Sequence, residues 1–196
     1  MKLEGIVNIN KPKGPTSHDI VDQVRKITGI KKVGHAGTLD PLASGVLVVA
    51  IGRENTKKIN DIVKTEKEYI AKIKLGETST TDDAEGEKKK FIVGAENIQP
   101  LESDVVVVIE KFIGNIKQIP PAYSAIKMKG KKAYELAREG KEVKMAAREV
   151  LINEIEMLSY KYPYLDIKVI CGPGTYIRSL ARDIGVELKT GAYMAE

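Results

Sequence analysis

Cysteine and histidine are scarce in this sequence, which limits the disulfides and metal sites that it could form. Cys171 is its one cysteine, and the two histidines, His18 and His35, are well separated along the chain. A lone cysteine excludes an internal disulfide and fits a reducing compartment. One cysteine and two separated histidines do not supply the ligands of an ordinary Cys/His zinc site. Acidic residues cluster at 81–85, but a solvated loop is a simpler interpretation than an oxygen-ligand metal site.

Long apolar runs are missing as well. No segment approaches the roughly 20 apolar residues that span a bilayer, and the first residues lead directly into a predicted strand without a signal-peptide pattern. We therefore expect a cytoplasmic protein that does not enter a membrane. With 196 residues, 42% hydrophobic and 30% charged, the chain is long enough for one well-packed domain with at most a small appendage.

Basic residues exceed acidic ones, and the excess is concentrated in one segment. The formal net charge is +5 and the sequence pI is near 9.1, so nucleic acid or another polyanion is a reasonable partner. Residues 127–148, the basic segment, contain eight Lys or Arg against three Glu. A mobile segment of this kind would neutralise phosphates and bind in a salt-dependent manner. An ordinary solvated surface is the alternative for any one of its lysines.

Hydrophobic periodicity predicts a mixture of strands and helices. The predicted strands are 5–10, 46–51, 67–75, 150–160 and 165–171, and the predicted helices are 17–28, 56–63, 101–112, 133–139 and 177–184. Ser17 is the expected N-cap of the first helix, and Gly185 is the expected end of the last. In strand 67–75, Tyr69 lies on the apolar face. Residues 76–100 are expected to be irregular, with a surface hairpin or loop at 88–90.

One stretch, residues 34–45, is termed the Asp40 loop and is the first indication of chemistry. It contains three glycines, one proline, His35 and Asp40, and an apolar run follows it directly. Glycine permits positive φ and close approach of other backbone, so a tight loop that leads into a buried strand is predicted. An ordinary turn, in which Asp40 caps a neighbouring amide, is one interpretation. A phosphate-binding P-loop is excluded, because no Gly-Lys-Ser/Thr follows and the next element is a strand.

Two long stretches resemble signature motifs of the TruB family of tRNA pseudouridine synthases. Residues 34–47 read Gly-His-Ala-Gly-Thr-Leu-Asp-Pro-Leu-Ala-Ser-Gly-Val-Leu, and residues 171–185 read Cys-Gly-Pro-Gly-Thr-Tyr-Ile-Arg-Ser-Leu-Ala-Arg-Asp-Ile-Gly. Residues 10–17, in which Lys11 and Pro12 match, and residues 118–140 also resemble the family. The resemblance implies an α+β pseudouridine synthase catalytic fold, with a central mixed, largely antiparallel sheet flanked by helices and loops.

The resemblance also implies the catalytic residues. Asp40 matches the family's catalytic nucleophile, and Arg178 and Tyr176 match residues beside it. A fixed arginine would keep a carboxylate ionised and oriented in a dry pocket, and Tyr176 would contact the base and assist proton removal. Tyr69, in a Lys-x-Tyr motif with Lys67, matches a tyrosine that stacks on the target base. A core position is the alternative for either tyrosine.

The implied partner is tRNA, bound through its T-arm stem-loop, and the chain is expected to act as a monomer without cofactor or metal. The target uridine would be flipped out of its stack, and His35 would fill or brace the space that it leaves. The expected RNA-binding residues are His35, Lys67, Lys127, Lys129, Lys131, Lys132 and Arg138. His18 is expected to be a polar surface residue, and Lys11 and Pro12 are explained equally well as the end of a strand.

The expected domain covers residues 1–196, with a thumb-like basic insertion at about 120–148. Relatives continue beyond the position of Glu196 through another strand and commonly a small RNA-binding domain, so we expect a C-terminally incomplete catalytic domain. Three alternatives stay open: a guide-RNA-dependent relative, a non-catalytic RNA-binding module on the same fold, and a carboxylate-nucleophile hydrolase. The hydrolase would need a second acid, for which Asp83 or Asp183 are candidates.

Overall fold

The computed structural model describes residues 3–91, 99–128 and 130–196. The chain divides into two units, residues 1–65 and 66–196. Each unit has its own sheet and its own hydrophobic core.

The first unit is a three-stranded antiparallel sheet covered by a helix. Its elements are β1 (Gly5–Lys11), α1 (Ser17–Thr28), β2 (Val33–His35), β3 (Gly45–Ile51), α2 (Arg53–Lys57) and α3 (Ile59–Val63). The strands lie in the order β1-β3-β2, so the central β3 pairs on both sides. One face of α1, with Ile20 and Val21, packs against Leu47 and Val49 of β3. The apolar run and the helical periodicity therefore predicted β3 and α1 correctly, whereas β2 was not predicted.

Two details of the first unit differ from the prediction. Thr16, not Ser17, is the N-cap of α1: its hydroxyl accepts from the Asp19 N–H at 3.1 Å, and the Asp19 carboxylate accepts from the Thr16 N–H at 2.7 Å. This is a capping box, which satisfies two helix-end donors reciprocally. The predicted helix 56–63 is helical in part, but it is divided into two short helices, α2 and α3, and neither contains a buried residue.

The second unit is organised on an antiparallel sheet in the order β12-β4-β11-β10-β7. Its elements are β4 (Lys67–Leu75), β5 (Glu77–Ser79), β6 (Lys88–Lys90), α4 (Glu102–Glu110), β7 (Gly114–Gln118), β8 (Lys127–Met128), β9 (Lys131–Lys132), α5 (Ala133–Arg138), β10 (Arg148–Lys161), β11 (Tyr164–Cys171), α6 (Ile177–Glu187) and β12 (Ala192–Met194). Every strand pair of this sheet is antiparallel. The α+β prediction with a largely antiparallel sheet is confirmed.

The core of the second unit follows the alternation seen in the sequence. Ala71, Ile73 and Leu75 of β4 are buried, as are Leu165 and Ile167 of β11. Apart from Lys67, the first residue of β4, the charged side chains of the two strands take the opposite face, which is the period-2 pattern of a sheet with one buried face. Helices α4 and α6 contribute further residues to the same core. The predicted surface hairpin at 88–90 is also present, because β5 pairs with β6.

Helix α6 does not end at Gly185, as predicted, but runs on to Glu187. A Cβ at Gly185 would lie 2.3 Å from the backbone nitrogen of Ala192. Gly185 therefore permits the close approach of residues 191–192, at the start of β12, to the helix. It is a packing residue rather than a helix terminator.

Candidate active site

The Asp40 loop is held by hydrogen bonds from Gly14 and from Ser17, the first residue of α1. The Ser17 hydroxyl accepts from the Leu39 N–H at 2.9 Å and donates to the Leu39 carbonyl at 3.0 Å. The Gly14 N–H donates to the Pro41 carbonyl at 2.8 Å. Residues on both sides of Asp40 are thus bound to residues 14–17. The prediction of a tight loop leading into a buried strand is confirmed, and the prediction that Ser17 is the N-cap of α1 is wrong.

Lys11 is a buried cation in the same unit. It is the last residue of β1 and is fully buried, and its ammonium donates to the carbonyls of Pro12 at 2.9 Å and Pro15 at 3.0 Å. Burial lowers the pKa of Lys11, and the negative charge of Asp40 acts in the opposite direction. Lys11 is therefore more than the end of a strand, because it contributes a positive charge to the environment of Asp40.

The His35 ring is fixed at the start of the Asp40 loop. Its Nδ1 lies 2.7 Å from the Gly37 carbonyl, which can only accept, so Nδ1 carries the hydrogen. Burial is the main cause that lowers the pKa of His35, which favours the neutral ring. His18 is exposed, as predicted, but its ring also meets that of His35 edge to face at 5.5 Å between centroids.

Arg178 lies in the first turn of α6 in the second unit and is almost completely buried. One guanidinium nitrogen forms an ion pair with Asp83 at 3.1 Å and lies 3.4 Å from the Thr81 carbonyl. The other donates to the Tyr123 carbonyl at 3.0 Å. A planar guanidinium with partners on both terminal nitrogens has little freedom to rotate. Its side chain is therefore held in one orientation.

The acidic cluster at 81–85 is not the predicted solvated loop. Asp83 is only 5% exposed, and it pairs with Arg178. Asp82 pairs with Arg182 of α6 at 2.8 Å; burial is the main cause that raises the pKa of Asp82, and Arg182 opposes it. Two adjacent acids thus bind two arginines one helical turn apart on α6. The prediction failed because the partners lie about a hundred residues away in sequence.

Tyr176 is the residue that precedes α6. Its N–H donates to the side-chain oxygen of Gln118 at 2.8 Å, and Gln118, at the end of β7, is buried. The hydroxyl of Thr175, the preceding residue, donates to the Gly172 carbonyl at 3.0 Å. The side chain of Gln118 therefore binds a backbone N–H at the start of the helix, where helix-end donors have no partner within the helix.

Tyr69 and Lys67 lie on β4, where Tyr69 is opposite Val169 and Lys67 is opposite Cys171 of β11. Tyr69 is half-buried and packs against the core of the second unit. This agrees with its position on the apolar face of the predicted strand. The packing leaves part of the ring outside the core, so a core position and a contact with a base are compatible.

The basic segment is less positive than its lysine count indicates. Lys131 bonds to Glu139 at 2.9 Å, and the same glutamate binds Lys141 at 2.6 Å; the two lysines lower the pKa of Glu139 to about 2. The cations of Lys132 and Arg138 both lie over the Tyr134 ring, at 5.5 and 5.4 Å from its centroid. Lys127 is exposed. The remaining predicted contact, Lys129, lies outside the described residues.

Two buried polar atoms have no hydrogen-bond partner within the described ranges, and both belong to one short segment. They are Nε2 of Gln118 and Oγ of Ser124. This segment also provides the Ile119 carbonyl, which accepts from the Ser179 hydroxyl at 2.8 Å. A buried hydroxyl without a partner loses its hydration and gains no hydrogen bond in return.

Ser124→Ala is therefore expected to leave the free energy of unfolding unchanged or to raise it by up to about 1 kcal/mol. Ser179→Ala is the matched control, because it removes a buried hydroxyl that has a partner, and it should cost about 1 kcal/mol. Urea unfolding of both variants measures the difference. Equal destabilisation by the two substitutions would show that the Ser124 hydroxyl has a bonded partner in solution.

Of the predicted residues, Asp40 and His35 lie in the first unit and the others in the second. Tyr176 and Arg178 are brought together at the start of α6, and Tyr69 and Lys67 lie together on β4. The sequence prediction missed the contributions of Ser17, Gln118 and Asp83. Of these three residues, only Asp83 belonged to a feature noted in the sequence, the acidic cluster at 81–85. That feature did not indicate that Arg178 is the partner of Asp83.

Two general observations concern the parts of the chain that the structure describes. In those parts, no group of three or more His, Cys, Asp and Glu side chains is arranged to hold a metal ion. No helix among the same residues has the length and apolar character needed to cross a bilayer.

Comparison with known proteins identifies related sequences. Residues 25–177 match the family model described as "TruB family pseudouridylate synthase (N terminal domain)". The chain is 45% identical over 193 residues to tRNA pseudouridine synthase B of Protochlamydia amoebophila, covering 98% of this chain and 72% of that protein. It is 48% identical over 194 residues to tRNA pseudouridine synthase B of Clostridium tetani, covering 99% and 66%. The chain thus spans about two thirds of the length of these relatives.

Solved structures show the same fold. The chain matches a chain of a Cbf5-Nop10-Gar1 complex with a TM-score of 0.73 and 32% identity, covering 98% of this chain and 46% of that one. It also matches a chain of the archaeal box H/ACA sRNP Nop10-Cbf5 complex with a TM-score of 0.69 and 29% identity, covering 100% and 46%.

Proposed function

Because the chain belongs to the TruB family of pseudouridylate synthases, we propose that it isomerises the T-loop uridine of tRNA, position 55, to pseudouridine. The observation that carries this proposal is the 45–48% identity, over nearly the whole chain, to relatives that are tRNA pseudouridine synthase B. The proposed localisation is the cytoplasm, and the proposed partner is the T-arm stem-loop of a tRNA, bound by a monomer.

The reaction is an isomerisation, so no atom is gained or lost overall. The N1–C1′ glycosidic bond breaks, the uracil turns, C5 bonds to C1′, and the proton on C5 is replaced by one on N1. This chemistry requires neither a redox step nor phosphate energy. A carboxylate that attacks either C6 of the base or C1′ of the ribose divides one difficult step into two easier ones. We propose Asp40 as that nucleophile.

The environment of Asp40 in the first unit supports this role. A nucleophile must be held in a near-attack position, and hydrogen bonds from Ser17 and Gly14 fix the residues on both sides of Asp40. The buried ammonium of Lys11 favours the ionised carboxylate. We further propose that Arg178 acts as the fixed cation that orients the reacting carboxylate, a role for which its rigid position in the second unit suits it.

The two tyrosines are proposed to act on the flipped base. Tyr69 would stack on the uracil, since an aromatic face next to an unstacked base is a general means of holding it. Tyr176 would contact the base and assist removal of the C5 proton. His35 would occupy or brace the space that the uridine leaves in the RNA. The half-buried positions of Tyr69 and Tyr176 leave ring surface for such contacts.

Binding of the RNA is proposed to depend on Lys67 and the basic segment, with Lys127, Lys129, Lys131, Lys132 and Arg138 as phosphate contacts. We propose that residues 1–196 act as one catalytic domain, in which about 120–148 form the thumb-like insertion. The Glu139 carboxylate bonds to both Lys131 and Lys141, and its negative charge offsets part of the attraction of Lys131 for a phosphate. Lys127 and Lys132 form no ion pair among the described residues and should contribute more to phosphate binding.

A guide-RNA-dependent synthase is the second candidate, and the likeness to chains in Cbf5 complexes favours it. The sequence identities weigh against this candidate. The chain is 29–32% identical to those chains but 45–48% identical to tRNA pseudouridine synthase B. The two candidates predict different results for an isolated T-arm: a tRNA pseudouridine synthase converts it without any other RNA, whereas a guide-RNA-dependent synthase does not.

The test is uridine-to-pseudouridine conversion on an unmodified tRNA T-arm hairpin without any other RNA. Conversion at one T-loop uridine supports the proposal. Hairpin binding without conversion would contradict it for this chain and favour the RNA-binding module. Conversion that requires an added guide RNA would favour the second candidate.

Replacing Lys127 and Lys132 together by Gln is expected to weaken hairpin binding about 5- to 20-fold at low salt. The slope of log affinity against log salt should also fall by about 0.7 to 0.9 for each lost phosphate contact. Fluorescence anisotropy at several salt concentrations measures both quantities. Lys111→Gln, an exposed lysine outside the basic segment, is the matched control. An unchanged slope in the double variant would exclude these two lysines as phosphate contacts.

A further inference from the structure

Ser17 connects two distant parts of the first unit through one buried hydroxyl. It is the first residue of α1, it is 1% exposed, and its partner residue Leu39 lies 22 positions further along the chain. Helix capping does not require this hydroxyl, because Thr16 performs that function. The role of the Ser17 side chain is therefore found in the Asp40 loop and not in its own helix.

The Ser17 hydroxyl forms two hydrogen bonds with the backbone of Leu39, one as acceptor and one as donor. A hydroxyl has one donor and can accept at the same time, and Ser17 uses both capacities on a single residue: it accepts from the Leu39 N–H and donates to the Leu39 carbonyl. The two bonds satisfy both peptide groups of Leu39. Because they approach from the same atom, they fix the backbone dihedrals between them. The Leu39 carbonyl carbon is the atom to which the Asp40 nitrogen is attached.

The other side of Asp40 is fixed independently. The Pro41 carbonyl accepts from the Gly14 N–H at 2.8 Å, and the Asp40 carbonyl accepts from the Ala43 N–H at 3.0 Å. Pro41 adds a φ angle that its ring restricts. Hydrogen bonds to the residues on both sides of Asp40 thus determine the direction in which the Asp40 side chain leaves the backbone. Ser17 makes the two bonds on the N-terminal side of Asp40.

We propose that Ser17 is a positioning residue that sets the orientation of the Asp40 carboxylate for attack. This inference rests on the proposed function, in which Asp40 is the nucleophile. Ser17 does not contact the RNA in this proposal; it acts through Leu39. Loss of the hydroxyl should allow the loop to relax, because the Leu39 N–H and carbonyl then lose the partner that both of them share.

Ser17→Ala is expected to lower kcat about 10- to 100-fold, since a displacement of about 1 Å at a reacting group can reduce a rate by that amount. KM for the T-arm hairpin should stay within about 2-fold, because the RNA-binding surface is not altered. Hydrogen exchange of the Ala43 amide, which is bonded to the Asp40 carbonyl, should accelerate in the same variant. This second readout does not depend on activity.

Thr16→Ala is the matched control. It removes the neighbouring hydroxyl, which caps the same helix at an exposed position and does not bond to the Asp40 loop. Both variants should lower the midpoint of thermal unfolding, but Thr16→Ala should leave kcat and the Ala43 exchange within about 2-fold of the wild type. If the effects come from lost helix stability, kcat and the Ala43 exchange rate should change alike in both variants. If Ser17 positions Asp40, they should change only in Ser17→Ala.

The outcomes separate this inference from the function on which it rests. If Ser17→Ala keeps its kcat within 2-fold, or if Thr16→Ala loses as much, the positioning role is overturned while the proposed function stands. If the wild type converts no uridine, the proposed function fails and the catalytic part of the inference fails with it. In that case an unchanged Ala43 exchange in Ser17→Ala would also overturn the structural part.

Discussion

Asp40→Asn should abolish pseudouridine formation, with a loss of about 10³-fold or more in turnover on a T-arm hairpin. An amide is nearly isosteric with the carboxylate, so the loop held by Ser17 and Gly14 should keep its shape. The amide is a far weaker nucleophile than an ionised carboxylate, and no later step can compensate for a covalent bond that does not form. Single-turnover conversion, measured with enzyme in excess, detects the loss without interference from product release.

Hairpin affinity is the control for this prediction, because it should stay within about 3-fold of the wild type when only the reacting group is changed. Asp61→Asn, an exposed aspartate on α3 of the same unit, has the same change in charge and should keep full turnover. Conversion by Asp40→Asn at more than about a tenth of the wild-type rate would remove Asp40 from the role of nucleophile. It would also reopen the hydrolase and RNA-binding alternatives.

Asp83→Ala should lower the free energy of unfolding by about 3–5 kcal/mol, the usual cost of leaving a buried charge without its partner. The side chains of Asp83 and Arg178 are 7% and 9% exposed, so the substitution leaves the guanidinium buried without its charged partner. The same substitution also removes the acceptor for the Thr81 hydroxyl and the Glu85 N–H. Urea unfolding followed by circular dichroism measures the change.

An exposed ion pair at the other end of the same helix provides the comparison. Glu187 pairs with Lys111 at 3.1 Å, and both side chains are about half exposed, so Glu187→Ala should cost no more than about 1 kcal/mol. Equal effects of the two substitutions would mean that the Asp83–Arg178 pair is solvated in solution. If Asp83→Ala is folded, its turnover should also fall, because Arg178 loses the contact that orients its guanidinium.

Local patterns in the sequence were sufficient for most of the fold. The alternation in β4 and β11 and the apolar run of β3 predicted strands, because a sheet with one buried face requires those periods. The motif at 34–47 and the motif at 171–185 also indicated Asp40, Tyr176 and Arg178 as candidates, and those roles stay predictions. Periodicity was less informative for 56–63, where three apolar residues at helical spacing were compatible with two short helices instead of one.

The partners of the candidate residues were not accessible from the sequence. Ser17 was predicted to cap its own helix, yet its hydroxyl bonds to Leu39, and Asp83 was assigned to a solvated loop, yet it pairs with Arg178. In both cases the residue type is compatible with either role. A serine hydroxyl can cap its own helix or bond to a distant backbone group, and an aspartate can be solvated or form an ion pair. The role that each residue takes depends on which group the fold brings within hydrogen-bonding distance.

The distinction has a simple physical reason. Secondary structure follows from interactions between residues a few positions apart, and these leave a periodic record in the sequence. Hydrogen bonds and ion pairs between residues 22 or 95 positions apart leave no such record, because their geometry is produced by the packing of helices on sheets. The residue types, the elements and the family motifs were therefore readable from the chain alone. The buried Asp83–Arg178 pair and the hold of Ser17 on the loop of Asp40 exist only once the chain has folded.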